Sequence, residues 1–232
     1  MKTLGLIGGM SWESTIPYYR TINEYVKNRL GGLHSAKIIL HSVDFHDIEQ
    51  LQAQGDWRRA AQVLSDIAIG LGNAGAQAIV ICTNTMHKVA DAVEDASRLP
   101  LLHIADAAGE NIFRRGMKKV GLLGTRYTME QDFYRQRIYQ RYGITVITPE
   151  PAARELVNRV IYQELCLGKI DARSRQSYRE IIRRLVEQGA EGIILGCTEI
   201  PLLLSADDAS VPLFDTSVLH ATAAAKYALS EK

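Results

Sequence analysis

Two short segments of the chain place reactive side chains directly after an apolar run. Cys197, Thr198 and Glu199 follow one run, and Thr83, Asn84 and Thr85 follow another. Such runs are typical of buried parallel strands, whose carboxyl ends form ligand sites. A cysteine thiolate is both a nucleophile and a proton acceptor, so Cys197 is a candidate base, and a buried structural cysteine is the alternative interpretation.

An internal repeat relates these two segments. Residues 73–85 align without gaps on residues 187–199, which places Thr83 opposite Cys197. Residues 3–10 resemble residues 119–126, and residues 99–103 resemble residues 211–215. The three pairs occur in the same order, which indicates that the chain contains two similar units.

Helical patterns lie between the predicted strands, from Tyr18 to Leu30, from Arg58 to Leu71 and from Tyr178 to Val186. Strands that alternate with helices predict an α/β fold with parallel sheets. The second unit is expected to begin near residue 117. The polar segment from Asp44 to Trp57 shows few helix signals, and we interpret it as a surface loop, with a lid over the substrate as the alternative.

Composition excludes several classes of function. The net charge is +1, and the basic residues are dispersed, so no nucleic-acid surface is expected. No apolar run reaches the ~18 residues of a membrane span, and the first residues do not have the form of a signal peptide. The three cysteines have neither disulfide nor zinc-site spacing, and the glycines do not form a dinucleotide- or phosphate-binding motif. These patterns predict a cytoplasmic protein with reduced thiols, no structural zinc site and no nicotinamide cofactor.

Four ordered motifs together resemble the aspartate/glutamate racemase family. They are Gly8-Gly9-Met10-Ser11-Trp12-Glu13-Ser14-Thr15, Cys82-Thr83-Asn84-Thr85-Met86-His87, Leu123-Gly124-Thr125-Arg126-Tyr127-Thr128-Met129 and Gly196-Cys197-Thr198-Glu199. The resemblance implies two pseudo-symmetric, flavodoxin-like domains with the active site in the cleft between them. It implies a first domain of residues 1–116 plus a returning helix at about 217–232, and a second domain of residues 117–216. It also implies a homodimer that acts on a small amino acid without pyridoxal phosphate or another cofactor.

The resemblance also implies roles for individual residues. Cys197 and Thr83 take the positions of the two catalytic groups, and the expected substrate-binding residues are Met10, Gln52, Asn84, Thr85, Thr125 and Thr198. Most members of the family have cysteine where this chain has Thr83. Cys82 lies one residue earlier, and a step of one residue along a strand turns the side chain to the opposite face. The basic residues that bind substrate in some relatives are not evident in this chain. Gln50 and Gln52 lie in the loop where one of them is expected, and Cys166 lies near the position of another.

Racemisation removes the α-hydrogen from one face of the substrate and returns a proton to the other. A free thiol is only a few per cent ionised at neutral pH, so local hydrogen bonds or a helix N-terminus are expected to lower the pKa of Cys197. Threonine does not form an alkoxide at neutral pH, so Thr83 is expected to relay a proton or hold a water molecule. We therefore expect asymmetric activity. The alternatives are a decarboxylase or cis–trans isomerase of small diacids, or a non-catalytic amino-acid binding protein.

Overall fold

A computed structural model describes residues 1–231 of the chain. It contains seven strands: β1 (Leu4–Gly8), β2 (Ile38–Ser42), β3 (Ala78–Ile81), β4 (Lys119–Gly124), β5 (Thr145–Ile147), β6 (Ile193–Gly196) and β7 (Leu213–Asp215). The α-helices are α1 (Trp12–Leu30), α2 (Phe45–Gln54), α3 (Trp57–Asn73), α4 (Ala90–Ser97), α5 (Ile104–Arg114), α6 (Arg126–Glu130), α7 (Asp132–Tyr142), α8 (Pro151–Gln163), α9 (Ala172–Glu187), α10 (Ile200–Leu203) and α11 (Thr216–Leu229). Short 3-10 helices cover Thr85–Val89, Leu165–Leu167 and Ala206–Asp208.

The strands form two parallel sheets, and the predicted α/β class is confirmed. The first sheet has the order β2-β1-β3, and the second has the order β5-β4-β6-β7. The repeat occupies equivalent places, because β1 and β4 are central and β3 and β6 lie beside them. The third repeated pair differs. Residues 213–215 form β7, whereas the equivalent segment in the first sheet contributes only a bridge between Leu101 and Ile79.

The chain divides into two compact units. Unit 1 comprises Met1–Ile104 and the chain from His220 onward, and unit 2 comprises Ala105–Leu219. The sequence assigned α5 to the first domain, whereas here it lies almost entirely in unit 2. The reason is a polar contact with α7, since the Asp106 carboxylate forms a two-pronged ion pair with Arg137 at 2.7 and 2.8 Å. Gly109 on the same helix packs against the ring of Tyr142.

The sheet of unit 1 is covered on both faces, as the period of two along a strand requires. One face carries Ile7, Ile79 and Ile81 and packs against α3. The other face carries Leu4, Leu6, Val80 and Cys82 and packs against α1 and α11. The contacts of α11 are the small residues Ala221, Ala224, Ala225 and Ala228, whose helical spacing forms one narrow face on the sheet.

Two helices differ from the sequence predictions. Helix α1 begins at Trp12, six residues before the predicted start, and accommodates Pro17 near its first turn. The segment from Asp44 to Trp57 is not a loop, because α2 occupies most of it and α3 begins at its end. Asp44 caps α2 by accepting a hydrogen bond from the His46 amide, and Gly55 ends the helix in a left-handed conformation. Among residues 1–231, no helix has the length and apolarity that a membrane span requires.

Candidate active site

In unit 2, the residues that follow β6 form a buried group around a carboxylate. The thiol of Cys197 donates a hydrogen bond to Oε2 of Glu199 at 2.9 Å. The hydroxyl of Thr198 donates to the same oxygen at 3.0 Å. Cys197 is 7% exposed and Glu199 is 3% exposed. A thiol that is hydrogen-bonded to a carboxylate has a proton acceptor beside it, which is the arrangement that general-base chemistry requires.

The pKa of Cys197 differs from the expectation. Burial raises the pKa of this thiol well above its ordinary value, and the nearby charge of Glu199 raises it further. The pKa of Cys166 is also raised, to about 12, by burial and then by Glu199. The prediction that local hydrogen bonds lower the pKa of Cys197 is therefore wrong. Cys197 rests as a neutral thiol whose proton points toward Glu199.

Thr125 lies beside this group at the end of the neighbouring strand. Gly124 and Gly196 are paired residues of β4 and β6, so Thr125 and Cys197 leave the sheet at the same edge. The Thr125 hydroxyl caps α6 by accepting a hydrogen bond from the Thr128 amide. Thr125 is buried, as is Thr198. Unit 2 thus brings together the three site residues that the sequence assigned to it.

The equivalent edge of unit 1 carries the second set of predicted site residues. Thr83 is half-buried at the end of β3, and Asn84 and Thr85 are buried beside it. Met10 is buried after β1, the strand that pairs with β3. A glycine is required at position 9, where φ is +88° and a Cβ atom would lie 2.2 Å from the Val43 carbonyl oxygen.

Cys82 does not share the environment of Thr83. Its side chain is fully buried in the apolar cluster between the sheet and helices α1 and α11. Burial raises the pKa of its thiol above the ordinary value. The opposite-face orientation expected from the strand period is therefore present, and Cys82 lies in the core.

Gln52 reaches this edge from α2. It is buried, and its amide nitrogen is 3.1 Å from the sulfur of Met86, which follows Thr85 in the 3-10 helix. Gln50, by contrast, is exposed and hydrogen-bonds to His46 on the surface of the same helix. Of the two glutamines considered in the sequence, only Gln52 lies against the segment that follows β3.

Within the part of the chain that the structure describes, no group of three or more His, Cys, Asp or Glu side chains is arranged to hold a metal ion. Cys82, Cys166 and Cys197 are all free thiols.

Comparison with known proteins bears on this site. The family model described as Asp/Glu/hydantoin racemase matches residues 7–224. The chain belongs to the Asp/Glu/hydantoin racemase family. The resemblance found in the four motifs is therefore confirmed, and at the level of the family so is the prediction of a racemase-type isomerase.

Individual members of the racemase family align over nearly the whole chain. A crystal structure from Yersinia pestis, assigned as an Asp/Glu racemase, is 67% identical with a TM-score of 0.93 and covers 99% of this chain and 100% of its own. An aspartate racemase homologue from Pyrococcus horikoshii is 34% identical with a TM-score of 0.84 at the same coverage. The broad specificity amino-acid racemase RacX of Bacillus subtilis is 24% identical over 220 residues, which are 92% of each chain.

Glu199 is a functional residue that the sequence does not identify. It is a polar neighbour of Cys197, but a spacing of two residues does not reveal their contact. The available signal was the change of conformation after β6. The chain leaves the strand at Cys197 and turns into α10, which folds residue 199 back toward residue 197.

Proposed function

We propose that this protein is a cofactor-independent amino-acid racemase that acts on aspartate, glutamate or a broader set of small amino acids. The observation that carries the proposal is the hydrogen bond from the Cys197 thiol to the buried Glu199 carboxylate. It supplies a base and a proton acceptor in one water-poor place. Membership of the racemase family supports the same reaction class.

In the proposed first step, the proton of the Cys197 thiol passes to Glu199 as substrate binds. The resulting thiolate then removes the α-hydrogen of the amino acid, and the electron pair remains on the substrate as an enolate-like carbanion. Burial and the Glu199 carboxylate both disfavour the negative charge of the thiolate. The positively charged α-ammonium group of the substrate offsets this effect. The raised pKa of the free thiol therefore makes base formation depend on bound substrate.

The carbanion needs hydrogen-bond donors around its carboxylate. We assign this role to Asn84, Thr85, Thr125 and Thr198, with the main-chain amides beside them, and we place Met10 and Gln52 among the groups that contact the substrate. The four proposed donors are buried and follow the ends of β3, β4 and β6, and Met10 and Gln52 are also buried. Buried donors act in a low dielectric, where they stabilise developing negative charge more than they would in water.

The last step returns a proton to the opposite face of Cα. We assign it to Thr83, either through its hydroxyl or through a water molecule that the hydroxyl holds. Because a free alkoxide does not form at neutral pH, the Thr83 hydroxyl gives its proton to the carbanion only as it takes another from water, and the proton held by Glu199 then returns to solvent. Thr83 does not remove an α-hydrogen unaided, so the proposed enzyme exchanges the α-hydrogen with solvent efficiently from only one enantiomer.

The test is ¹H NMR of L- and D-aspartate, L- and D-glutamate and several neutral amino acids in D₂O with the purified protein. We expect loss of the Cα proton signal, faster for one enantiomer, and abolished in Cys197→Ser. Cys82→Ala is the matched control, because it removes a thiol from the core. Equal rates from both enantiomers would contradict the asymmetric mechanism. No exchange with any amino acid would favour a diacid decarboxylase or isomerase, or a binding protein.

We further propose that the protein works as a homodimer in the cytoplasm. The mass in solution distinguishes a dimer from a monomer, since one chain has a mass of 25.8 kDa. Light scattering that gives this mass at the concentrations used for the activity measurements would reject the dimer.

A further inference from the structure

Three buried histidines lie together in unit 1, next to the segment that carries Thr83. They are His87 in the 3-10 helix after β3, His103 just before α5, and His220 in α11. The ring centroids of His87 and His103 are 4.5 Å apart, and those of His87 and His220 are 5.5 Å apart. Buried imidazoles have to be hydrogen-bonded, so their partners define what the cluster does.

The partners of His87 fix its protonation. Its Nδ1 atom is 2.7 Å from the carbonyl oxygen of Thr83, which only accepts hydrogen bonds, so Nδ1 carries the proton. Its Nε2 atom is 3.2 Å from the amide nitrogen of Ile104, which only donates, so Nε2 is the acceptor. His87 is therefore a neutral imidazole with its proton on Nδ1.

His220 has the opposite tautomer. Its Nε2 atom is 2.6 Å from the carbonyl oxygen of Leu102 and must donate. Its Nδ1 atom is 2.9 Å from the hydroxyl of Tyr18, which then donates to it. The two histidines thus hydrogen-bond to the main chain at Leu102 and at Ile104. Of these two side chains, His87 also bonds to Thr83.

The main-chain carbonyl groups of Thr83 and Cys197 have different hydrogen-bond donors. The carbonyl of Cys197 accepts a hydrogen bond from the main-chain amide of Ile200 in α10. The carbonyl of Thr83 accepts one from the His87 side chain instead, while the Thr83 amide donates to Ile81. In unit 1, the imidazole replaces a helical main-chain contact.

We propose that His87 is a positioning residue, which orients Thr83 for return of the proton to the substrate by holding its carbonyl group. This inference rests on the proposed racemase function. His87 does not touch the reacting atoms. It fixes the peptide from which the Thr83 side chain projects, and small displacements of a proton donor reduce the rate of transfer strongly.

Two substitutions separate the two hydrogen bonds of His87. In His87→Asn, the amide nitrogen takes the place of Nδ1 and still donates to Thr83. In His87→Gln, the amide group reaches the place of Nε2 and accepts from Ile104, but the Thr83 carbonyl loses its donor. The two side chains are chemically alike, so any difference between the variants reports on the bond to Thr83.

The measurement is the ratio of inversion to Cα deuterium exchange in D₂O, starting from the enantiomer that exchanges faster. Exchange requires Cys197, whereas inversion also requires Thr83. We expect His87→Gln to lower the ratio roughly tenfold and His87→Asn to keep it within about twofold of the unchanged protein. A purely structural defect would lower exchange and inversion together.

His220→Gln serves as the control for the histidine cluster. It keeps a donor for the Leu102 carbonyl and loses the bond to Tyr18, so we expect a lower Tm with an unchanged ratio. An unchanged ratio in His87→Gln, or an equal fall in all three variants, would overturn the positioning role. Absence of exchange in the unchanged protein would instead reject the racemase function.

A second measurement needs no variant. Long-range ¹H–¹⁵N NMR of histidine-labelled protein should show the proton on Nδ1 of His87 and on Nε2 of His220. A proton on Nε2 of His87 would mean that it does not donate to Thr83, and the proposal would be rejected on that result alone.

Discussion

Strands β3 and β6 begin in the same main-chain framework and end in different chemistry. Before these strands, the Gln77 amide donates to Thr3 in unit 1, and the Glu191 amide donates to Lys119 in unit 2. An offset of 114 residues relates Gln77 to Glu191 and also the preceding helix-to-strand turns, where the Ala76 and Ala190 amides each bond back to a helix carbonyl. The repeat is therefore preserved in hydrogen bonds and not only in residue types.

The side chains at the two ends have diverged. The end of β6 has a thiol that is bonded to a carboxylate, whereas the end of β3 has a hydroxyl whose main chain is held by an imidazole. In the proposed mechanism, the first arrangement takes up a proton and the second supplies one. A duplicated backbone thus sets where side chains emerge, while the neighbouring side chains differ between the two units.

Removal of the thiol at the β6 end is expected to have the largest effect. Cys197→Ser should reduce Cα exchange on the order of 10³-fold or more, because a hydroxyl does not form the required base at neutral pH. Cys82→Ala should retain exchange. If both variants behaved alike, the assignment of the base to the β6 end would be wrong.

Glu199→Gln tests the carboxylate that distinguishes the β6 end. We expect a fall of about 10²-fold in kcat at pH 7, because the thiol loses its proton acceptor. The pKa of Cys197 is raised partly by the Glu199 charge, so the alkaline rise of kcat/KM should begin at lower pH in the variant. A pH profile that is parallel to that of the unchanged enzyme would show that Glu199 and Cys197 are not coupled.

Thr83→Cys makes the two ends chemically alike. A thiol at the β3 end should permit abstraction from the second face, so the rate of Cα exchange from the slower enantiomer should rise roughly tenfold. The exchange rate from the faster enantiomer should change little. ¹H NMR in D₂O from each enantiomer provides the comparison, and a continued strong preference for one of them would place the cause of asymmetry elsewhere.

The smallest expected effect concerns stability in acid. Arg175 hydrogen bonds lower the pKa of the buried Asp208 carboxylate in unit 2 to about 2, from an ordinary 3.8. Because the folded pKa is the lower one, this contribution is complete above the ordinary value and is lost as pH falls toward 2. Asp208→Asn should cost about 1–2 kcal/mol of unfolding free energy at pH 6. The difference from the unchanged protein should shrink by pH 2.5, as measured by urea denaturation, and a constant difference would contradict the linkage.

Much of the fold could be predicted from the sequence because buried parallel strands have a clear pattern. The apolar runs before Thr83 and Cys197 gave the strand ends and their register. The sequence does not predict helix α2, because the start of this segment is polar. The helix signal that the sequence does offer there is Asp44, which caps α2. The placement of α5 was missed because it depends on ion pairs of Asp106 with a helix about 30 residues away.

The candidate site was predictable in residue type but not in its contacts. A motif names Cys197 and Thr198, but a spacing of two residues does not show that both donate to Glu199. The contacts around His87 are harder to predict from the sequence. The ring of His87 packs against His220, which hydrogen-bonds to Tyr18, a residue 202 positions away in the sequence. Such contacts depend on how α1 and α11 pack on the sheet of unit 1.

The composition of unit 1 from two stretches of chain has a consequence for protein synthesis. Strands β1 to β3 are translated first, but the alanine face of α11 that covers Leu4 and Leu6 is translated after all of unit 2. Domains generally fold as units while the chain emerges from the ribosome. Unit 2 is therefore expected to fold on the ribosome before unit 1 is complete, while the part of the sheet that α11 covers stays open for chaperones until this last helix is translated.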